Sequence, residues 1–242
     1  KNNIVLIEDC CESHGATFEN RKIGTFGDMS NFSFYFGHHM TTIEGGTVST
    51  NSDNLLDQIK LYRSHGMTRE ASDELRSEYE RKYPDLNPLF TFAVPGYNLR
   101  GTEINAVIGL SQIKRLDNNI SKRTENFACW LRSLDTSYFF TEFDTLGSSN
   151  FSLPLIIKNK DKNKLGRICN MLKDNGVEYR LGTAGGGNQE RQPYLREGRY
   201  PYRVAGSLDV VNHVHDFGLY VGNHTDLDTD LIESTCKMIN GA

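Results

Sequence analysis

The sequence lacks the features that mark membrane, secreted and zinc-binding proteins. Its 242 residues contain no run of about eighteen apolar residues, so we predict no transmembrane helix. The N-terminus has none of the basic, apolar and small-residue zones of a signal peptide. Five scattered cysteines without a C-x-x-C pair favour reduced thiols over a disulfide framework. These absences predict a cytoplasmic protein with no membrane partner.

The chain also lacks a strong charge of either sign. Its formal net charge is −4 with both signs mixed along the sequence, which gives no electrostatic reason to bind nucleic acid. Hydrophobic residues make up 37% of the chain, enough for a sizeable core. No internal repeat is found, and the only low-complexity tract is GTAGGGNQ, which we interpret as a mobile loop and not as a phosphate-binding loop.

The first half alternates short apolar segments with turn signals. NIVLIEDCC predicts a strand that is apolar and buried from Ile4 to Ile7, and it enters without a polar lead-in, so we expect that residue 1 is not a natural domain start. NFSFYF and GGTVST predict two more strands. The alternating aromatic residues and one distant phenylalanine are expected in the core: Phe32, Phe34, Phe36 and Phe90.

Capping residues mark where the helices begin. Asn51-Ser52-Asp53 predicts the start of one helix and Gly66 its end, and Thr102 predicts the start of another. Residues 68–82 are helical in pattern, and a long helix then steps through Ile120 and Phe127. We expect the first of these helices to bury one apolar face, formed by Leu55, Leu56, Ile59 and Tyr62.

The second half alternates strands and helices in short units. Strands are predicted at FSLPLII, VEYRL and FGLYV, and helices at residues 160–175, at RVAGSLDVVNHV and from about residue 226. Such alternation is typical of a small α+β domain. We therefore divide the chain into residues 1–118, part of a large α/β domain, and residues 119–242, a small C-terminal domain.

The segment FSFYFGHHMTTIEGG places two histidines after an apolar strand. Because side chains alternate along extended chain, one of His38 and His39 is expected to point into a pocket and the other away. The pair lacks the one-face spacing of H-E-x-x-H, so we predict no metal site. From position alone, a hydrogen-bonded structural histidine remains the alternative to a catalytic one.

Polar residues elsewhere have both a functional and a structural interpretation. Asp9 lies at the carboxyl end of a strand, where open α/β sheets place ligands, but it is also a common turn residue. Glu12 faces the same crevice or is a solvated loop acid. Asn98 and Arg100 precede a helix N-terminus, which suits an anion or a plain helix cap.

Four motifs in order resemble one family. IEDCCESHGA, GTFGDMSNFSFYFGHHMTTIEGGTVSTN, LYRSHGM and GYNLRGTEINAVIGLSQIKRLD are similar to the DegT-type sugar aminotransferases. The resemblance implies the type I fold of pyridoxal-phosphate enzymes, here a truncated large domain followed by the small domain, since the family's phosphate-binding helix start and stacking aromatic precede the Asp9 strand. It also implies that Asp9 pairs with the cofactor's pyridine nitrogen, that Ser33 contacts its phosphate, and that Asn98 reaches the phosphate of a neighbouring subunit in a homodimer.

The chain departs from the family at its central position. The resemblance places His38 where ordinary members have the lysine that binds the cofactor covalently, and Glu12 where many relatives have glutamine. His39 is then expected to be the histidine that faces outward. The changes at His38 and Glu12 both resemble the GDP-4-keto-6-deoxy-D-mannose 3-dehydratases. The resemblance implies the cluster-free enzyme, because the iron–sulfur relative that acts on a CDP-linked sugar shares the histidine but requires a cysteine cluster, which this chain lacks. An imidazole can move protons near neutral pH but forms no lasting bond to the cofactor.

The resemblance implies a reaction and its partners. Pyridoxamine 5′-phosphate would condense with a nucleotide-linked 4-keto-6-deoxy sugar, His38 would move protons while the 3-hydroxyl leaves, and hydrolysis would release ammonia. Glutamate would then restore the amine from pyridoxal 5′-phosphate. The family position of three charged residues implies substrate contacts for Arg69, Glu178 and Arg180, although solvated surface charges explain them equally well. A sugar aminotransferase that uses Lys60 and a non-catalytic fragment remain the alternatives.

Overall fold

The computed structural model describes residues 4–183 and 186–242, and it divides into two compact units, Lys1–Asp117 and Asn118–Ala242. Residues 184 and 185 of the glycine-rich loop lie outside the described residues, so the interpretation of that loop stays a prediction. The assignment of the two units as a cofactor-binding domain and a small domain is also a prediction. Among the described residues, no helix is long and apolar enough to cross a bilayer.

A mixed three-stranded sheet organises the first unit. Strands β1 (Ile7–Asp9), β4 (Met29–Ser33) and β5 (Gly46–Ser49) lie in the order β1-β4-β5. β1 runs parallel to β4, and β5 runs antiparallel to it. Between β1 and β4, a small antiparallel hairpin joins β2 (Thr17–Phe18) to β3 (Arg21–Lys22). Because β1 and β4 are parallel neighbours, their carboxyl ends meet at one edge of the sheet.

Three helices follow the sheet, and two of them begin where the sequence predicts. α1 spans Asp53–Arg63 with Ser52 as its cap, α2 spans Asp73–Lys82, and α3 spans Glu103–Ile113 with a capping box formed by Thr102 and Asn105. Short 3₁₀ helices cover Thr68–Glu70 and Pro88–Phe90. Gly66, with φ of 83°, donates to the Leu61 carbonyl, and a Cβ there would collide with the Val94 carbonyl. This glycine therefore ends α1 as predicted.

Several predicted core positions of the first unit are wrong. The apolar N-terminal stretch is exposed, with Ile4 at 78%, and the strand begins only at Ile7. Phe36 is also exposed, because β4 ends at Ser33 and its alternation stops there. Phe90, in the short 3₁₀ helix Pro88–Phe90, is exposed as well. On α1, Leu61 is the buried residue, whereas the predicted apolar face is half-buried or exposed. The periodicity of apolar residues shows which residues share a face, but it does not show whether another part of the protein covers that face.

The described residues of the second unit form an antiparallel sheet, five α-helices and a short 3₁₀ helix, Gln189–Arg191. Helix α4 (Leu116–Ser133) leads into it, and strands β6 (Ser152–Ile156), β7 (Tyr179–Leu181) and β8 (Gly218–Gly222) pair in the order β6-β8-β7. The other helices are α5 (Lys162–Asp174), α6 (Pro193–Arg196), α7 (Asp209–Phe217) and α8 (Thr229–Gly241). The predicted strands and helices follow one another in the predicted succession, and α6 was not predicted. α7 begins six residues later than predicted, since Gly206 adopts φ of 82° inside the expected helix.

The core of this unit is centred on the single tryptophan. Trp130 on α4 is 1% exposed, packs among Phe139, Leu155 and Ile168, and donates from Nε1 to the Pro154 carbonyl at 2.8 Å. Next to it, Asn126 and Asn223 share a buried hydrogen bond of 3.1 Å. The second unit thus has a continuous apolar core beside which these two buried amides are paired.

Candidate active site

Asp9 and Asn31 meet across the parallel strands at the carboxyl edge of the first sheet. The strand register pairs the two residues directly. The Asp9 Oδ1 atom accepts from Asn31 Nδ2 at 3.0 Å and from the Cys11 backbone N–H at 3.2 Å. Hydrogen bonds from the Cys11 thiol and backbone, with that of Asn31, lower the pKa of Asp9. Asp9 is therefore an exposed carboxylate that stays ionised at neutral pH.

Glu12 and His38 form the second part of the cluster. His38 Nε2 lies 3.8 Å from Glu12 Oε1, and the imidazole side chain is 11% exposed. The His38 backbone N–H donates to the Tyr35 carbonyl at 3.1 Å, which closes a tight turn after β4. Burial, together with the charge of Asp9, raises the pKa of Glu12. The structure thus brings the carboxyl groups of Asp9 and Glu12 close to the imidazole of His38.

The expectation that His39 points outward is wrong. His39 is only 2% exposed, and its ring centroid lies 5.6 Å from that of His14. The alternation of an extended strand does not apply, because residues 36–40 form turns and bends and not a continuation of β4. Within the described parts of the chain, no group of three or more histidine, cysteine, aspartate or glutamate residues is arranged to hold a metal ion.

Ser33 lines an open, largely apolar cavity beside this cluster. The cavity of about 880 Å³ lies between β4, β5 and α1 and is also lined by Cys11, Asn31 and Lys60. Ser33 and Asn31 are two residues apart on β4 and face this cavity together. The Ser33 hydroxyl accepts from the Tyr35 backbone N–H at 3.2 Å. Lys60 therefore lines the same cavity as Ser33.

A loop contact fixes the chain that follows the histidines. The Asn105 side chain, part of the capping box of α3, donates to the carbonyl of Thr42 at 2.8 Å and to that of Glu44 at 3.2 Å. These residues begin the Glu-Gly-Gly turn that leads into β5. Helix α3 therefore anchors the end of the loop in which His38 and His39 lie.

The remaining predicted residues do not join the cluster through any described contact. Arg69 donates to the Leu89 carbonyl at 3.3 Å, with its guanidinium 5.4 Å from the centroid of the Phe90 ring. Asn98 accepts from Arg100 Nε at 3.2 Å just before α3. Glu178 and Arg180 belong to the second unit, where they form an exposed ion pair of 3.4 Å beside and on β7. Their roles stay predictions.

Sequence reasoning missed Asn31, Cys11 and His14. Asn31 lies 22 residues from Asp9, and only the register of β1 and β4 brings the two together. Cys11 was interpreted as structural because no cysteine pattern marked it. His14 is 5% exposed and packs against Phe32 and Phe34 with ring centroids 5.3 and 6.0 Å away. The one available signal in the sequence was that polar residues recur at every second position after the first strand.

His14 is expected to make the stability of the chain depend on pH. Burial, with the charge of His38, lowers the pKa of His14 to about 4. Because the unfolded chain protonates this imidazole near pH 6.5, the folded state is destabilised as the pH falls from about 6.5 to 4, by up to about 3 kcal/mol. Urea unfolding followed by circular dichroism should show a smaller loss of stability over this range in His14→Phe than in the unmodified chain. Equal pH dependence in both would contradict the assignment.

Comparisons with known proteins agree with the resemblance. The model of the DegT/DnrJ/EryC1/StrS aminotransferase family matches residues 1–239. A GDP-4-keto-6-deoxy-D-mannose 3-dehydratase of Escherichia coli O55:H7 is 33% identical over 225 residues, which cover 92% of this chain and 57% of that protein. This chain therefore spans less than two thirds of that relative's length.

Solved structures give the same result for the fold. The structure of Escherichia coli GDP-4-keto-6-deoxy-D-mannose-3-dehydratase with bound hydrated PLP superposes with a TM-score of 0.84 at 31% identity, over 98% of this chain and 61% of that one. A GDP-4-keto-6-deoxymannose-3-dehydratase with a trapped PLP-glutamate geminal diamine gives 0.83 at 31% identity, with coverage of 98% and 61%. The predicted α/β fold of the type I pyridoxal-phosphate enzymes is thus confirmed.

Proposed function

Because this chain belongs to the DegT/DnrJ/EryC1/StrS aminotransferase family, we propose that it functions as a pyridoxamine-phosphate-dependent 3-dehydratase of a nucleotide-linked 4-keto-6-deoxyhexose. The observation that carries the proposal is the position of His38. The imidazole lies 3.8 Å from Glu12 and close enough to Asp9 to lower its pKa. The resemblance implies a lysine at this position in ordinary family members. The similarity to two dehydratase structures supports the same conclusion.

The residues present fit a pyridoxamine or pyridoxal phosphate. Asp9 is exposed and ionised, as a partner of a protonated pyridine nitrogen must be. Ser33 offers a hydroxyl on the adjacent cavity wall for a phosphate oxygen. When bound, the pyridine ring supplies a sink for an electron pair. Glu12 adds a partly buried acid beside Asp9, and burial together with the charge of Asp9 raises the pKa of Glu12.

His38 is the residue that moves protons in this proposal. In its neutral form Nε2 accepts a proton from carbon, and in its charged form it donates a proton to the departing 3-hydroxyl oxygen of the sugar. Glu12, 3.8 Å from Nε2, stabilises the charged form by its opposite charge when ionised. The low exposure of the imidazole keeps water from competing for the same protons. One histidine can thus serve both proton transfers.

The overall reaction balances with glutamate as the amino donor. The sugar loses the oxygen of its 3-hydroxyl group, and glutamate and the sugar are converted to 2-oxoglutarate, ammonia and a 3-deoxy-4-keto sugar. Glutamate is proposed as donor because a related dehydratase was solved with a PLP-glutamate adduct. Arg69, Glu178 and Arg180 are proposed to contact the sugar nucleotide. A place in lipopolysaccharide O-antigen biosynthesis and a cytoplasmic location are part of the same proposal.

A homodimer is part of the proposal, with Asn98 contributing to the partner's phosphate site. The support comes from an apolar face on α3 and the preceding segment. Its residues are 57–74% exposed, far more than large apolar side chains usually are: Leu99, Ile104, Val107, Leu110 and Ile113. A second copy of the chain would bury this face and bring Asn98 to the interface. Sedimentation of the purified chain tests this directly, and a monomer at micromolar concentration would contradict it.

The proposed reaction is tested by supplying its substrates. The purified chain is mixed with pyridoxamine phosphate, glutamate and GDP- or CDP-4-keto-6-deoxyhexose, and ammonia and the sugar product are measured. We expect ammonia and a 3-deoxy sugar in equal amounts. Absence of both, together with a failure to bind pyridoxamine phosphate at millimolar concentration, would support the alternative of a non-catalytic fragment.

A displaced-lysine aminotransferase is the second candidate, because Lys60 lines the same cavity as Ser33. Borohydride reduction of the chain with pyridoxal phosphate separates the two functions. If His38 occupies the lysine position functionally, reduction should leave no cofactor attached to Lys60, and Lys60→Ala should retain ammonia release within about threefold, as for a residue outside the reacting groups. A cofactor-modified peptide containing Lys60 would support the aminotransferase.

A further inference from the structure

Two groups, one on β4 and one in the turn after β1, converge on one carboxylate oxygen. Asn31 on β4 donates to Asp9 Oδ1 at 3.0 Å, and the backbone N–H of Cys11 donates to the same atom at 3.2 Å. The Asn31 amide also lies 3.0 Å from Cys11 Sγ, so the three side chains form a closed cluster. Both N–H groups bond to the same oxygen, Oδ1, and neither bonds to Oδ2.

We propose that Asn31 and Cys11 are positioning residues that hold the Asp9 carboxylate in a single orientation, with one oxygen presented to a cationic ring nitrogen. The inference rests on the proposed function, in which Asp9 pairs with the pyridine nitrogen. An exposed carboxylate normally rotates about its Cα–Cβ and Cβ–Cγ bonds, and each bond immobilised in advance removes an entropic cost from ligand binding. The pair formed by Asn31 and Asp9 is set by strand register and not by a flexible loop.

The protonation states of the neighbours agree with this role. Burial raises the pKa of the Cys11 thiol to about 11, so at neutral pH the sulfur is an uncharged S–H group that can donate to the carboxylate and does not repel it. The other titratable groups that act electrostatically on or with Asp9 are Cys10, Glu12 and His38. Glu12 opposes ionisation of Asp9 and a protonated His38 favours it, so the hydrogen bonds keep Asp9 charged in both states of the imidazole.

The test measures the pKa of Asp9 in the cofactor-free chain by carboxyl ¹³C NMR. Asn31→Leu keeps the branched shape and the number of heavy atoms of the side chain but removes the donor, and we expect the pKa of Asp9 to rise by about one unit. Val48→Ala is the matched control, because Val48 pairs with Asn31 in the sheet and is half-exposed but does not contact Asp9. The same Asn31 variant should bind pyridoxamine phosphate about tenfold more weakly.

Each outcome decides a separate question. An unchanged Asp9 pKa in folded Asn31→Leu overturns the inference. If that variant does not fold, Cys11→Ala and Cys11→Ser replace it: the alanine variant should raise the pKa of Asp9, the serine variant should restore it, and equal values overturn the inference. A shifted pKa in a chain that never binds pyridoxamine phosphate supports the positioning role and contradicts the proposed function. Cofactor binding with an unshifted pKa of Asp9 contradicts the positioning role and supports the proposed function.

Discussion

Replacing His38 with asparagine is expected to lower ammonia release about 10²- to 10⁴-fold, the usual contribution of a positioned general acid–base residue. The imidazole is the group in the cluster that both accepts and donates a proton near neutral pH. Because Asp9 and Ser33 are unchanged, binding of pyridoxamine phosphate should change by less than about threefold. Ammonia release and cofactor binding are measured on the same preparations.

His65→Asn provides the matched control for this loss. His65 is an exposed histidine of the same unit with φ of 61°, a backbone conformation that asparagine tolerates well. Its replacement should leave ammonia release unchanged. If His38→Asn retains more than a tenth of the activity, or if both variants lose it equally, His38 is not the proton-transfer residue.

Truncation of Trp130 to alanine should destabilise the second unit by about 3–5 kcal/mol. The indole is 1% exposed at the centre of the core, and its removal leaves a cavity that the surrounding strands and helices fill only in part. It also leaves the Pro154 carbonyl without its donor at 2.8 Å. Since Trp130 is the one tryptophan in the sequence, unfolding is followed by circular dichroism and not by fluorescence.

Two further variants separate the packing from the hydrogen bond. Trp130→Phe keeps most of the apolar volume but loses the donor, so we expect a smaller cost than for alanine. Tyr202→Ala, at a tyrosine that is 48% exposed in the same unit, should change the free energy of unfolding by less than about 0.5 kcal/mol. Equal effects of Trp130→Ala and Tyr202→Ala would contradict the position of the tryptophan in the core.

Local signals in the sequence predicted where elements begin. Ser52 and Thr102 each cap a helix because their side chains satisfy an N–H group three residues ahead, and this chemistry depends only on neighbouring residues. The three strands of the second unit followed equally from alternation. By contrast, Phe36 and Ile104 were apolar residues in the right periodicity, yet both are exposed. Burial depends on which surface is covered, and periodicity does not contain that information.

The candidate site was predicted in part for a similar reason. Family motifs supplied Asp9 and His38, and the structure brings them into one cluster with Glu12. Asn31 was not predicted, because its contact with Asp9 depends on the register of two strands separated by the β2–β3 hairpin. His39 was placed on the wrong side, since the turn closed by His38 breaks the alternation of the strand. Contacts between residues distant in the sequence could be identified only from the folded structure.

A single-turnover experiment tests the proposed dehydratase function most directly. The chain is loaded with pyridoxamine phosphate, freed of excess cofactor and mixed with the GDP-linked 4-keto-6-deoxyhexose in the absence of glutamate. The account predicts one equivalent of ammonia and one of 3-deoxy-4-keto sugar for each bound cofactor, with both lost in His38→Asn. Transfer of the cofactor nitrogen into a 4-amino sugar that retains its 3-hydroxyl group would identify an aminotransferase and contradict the account.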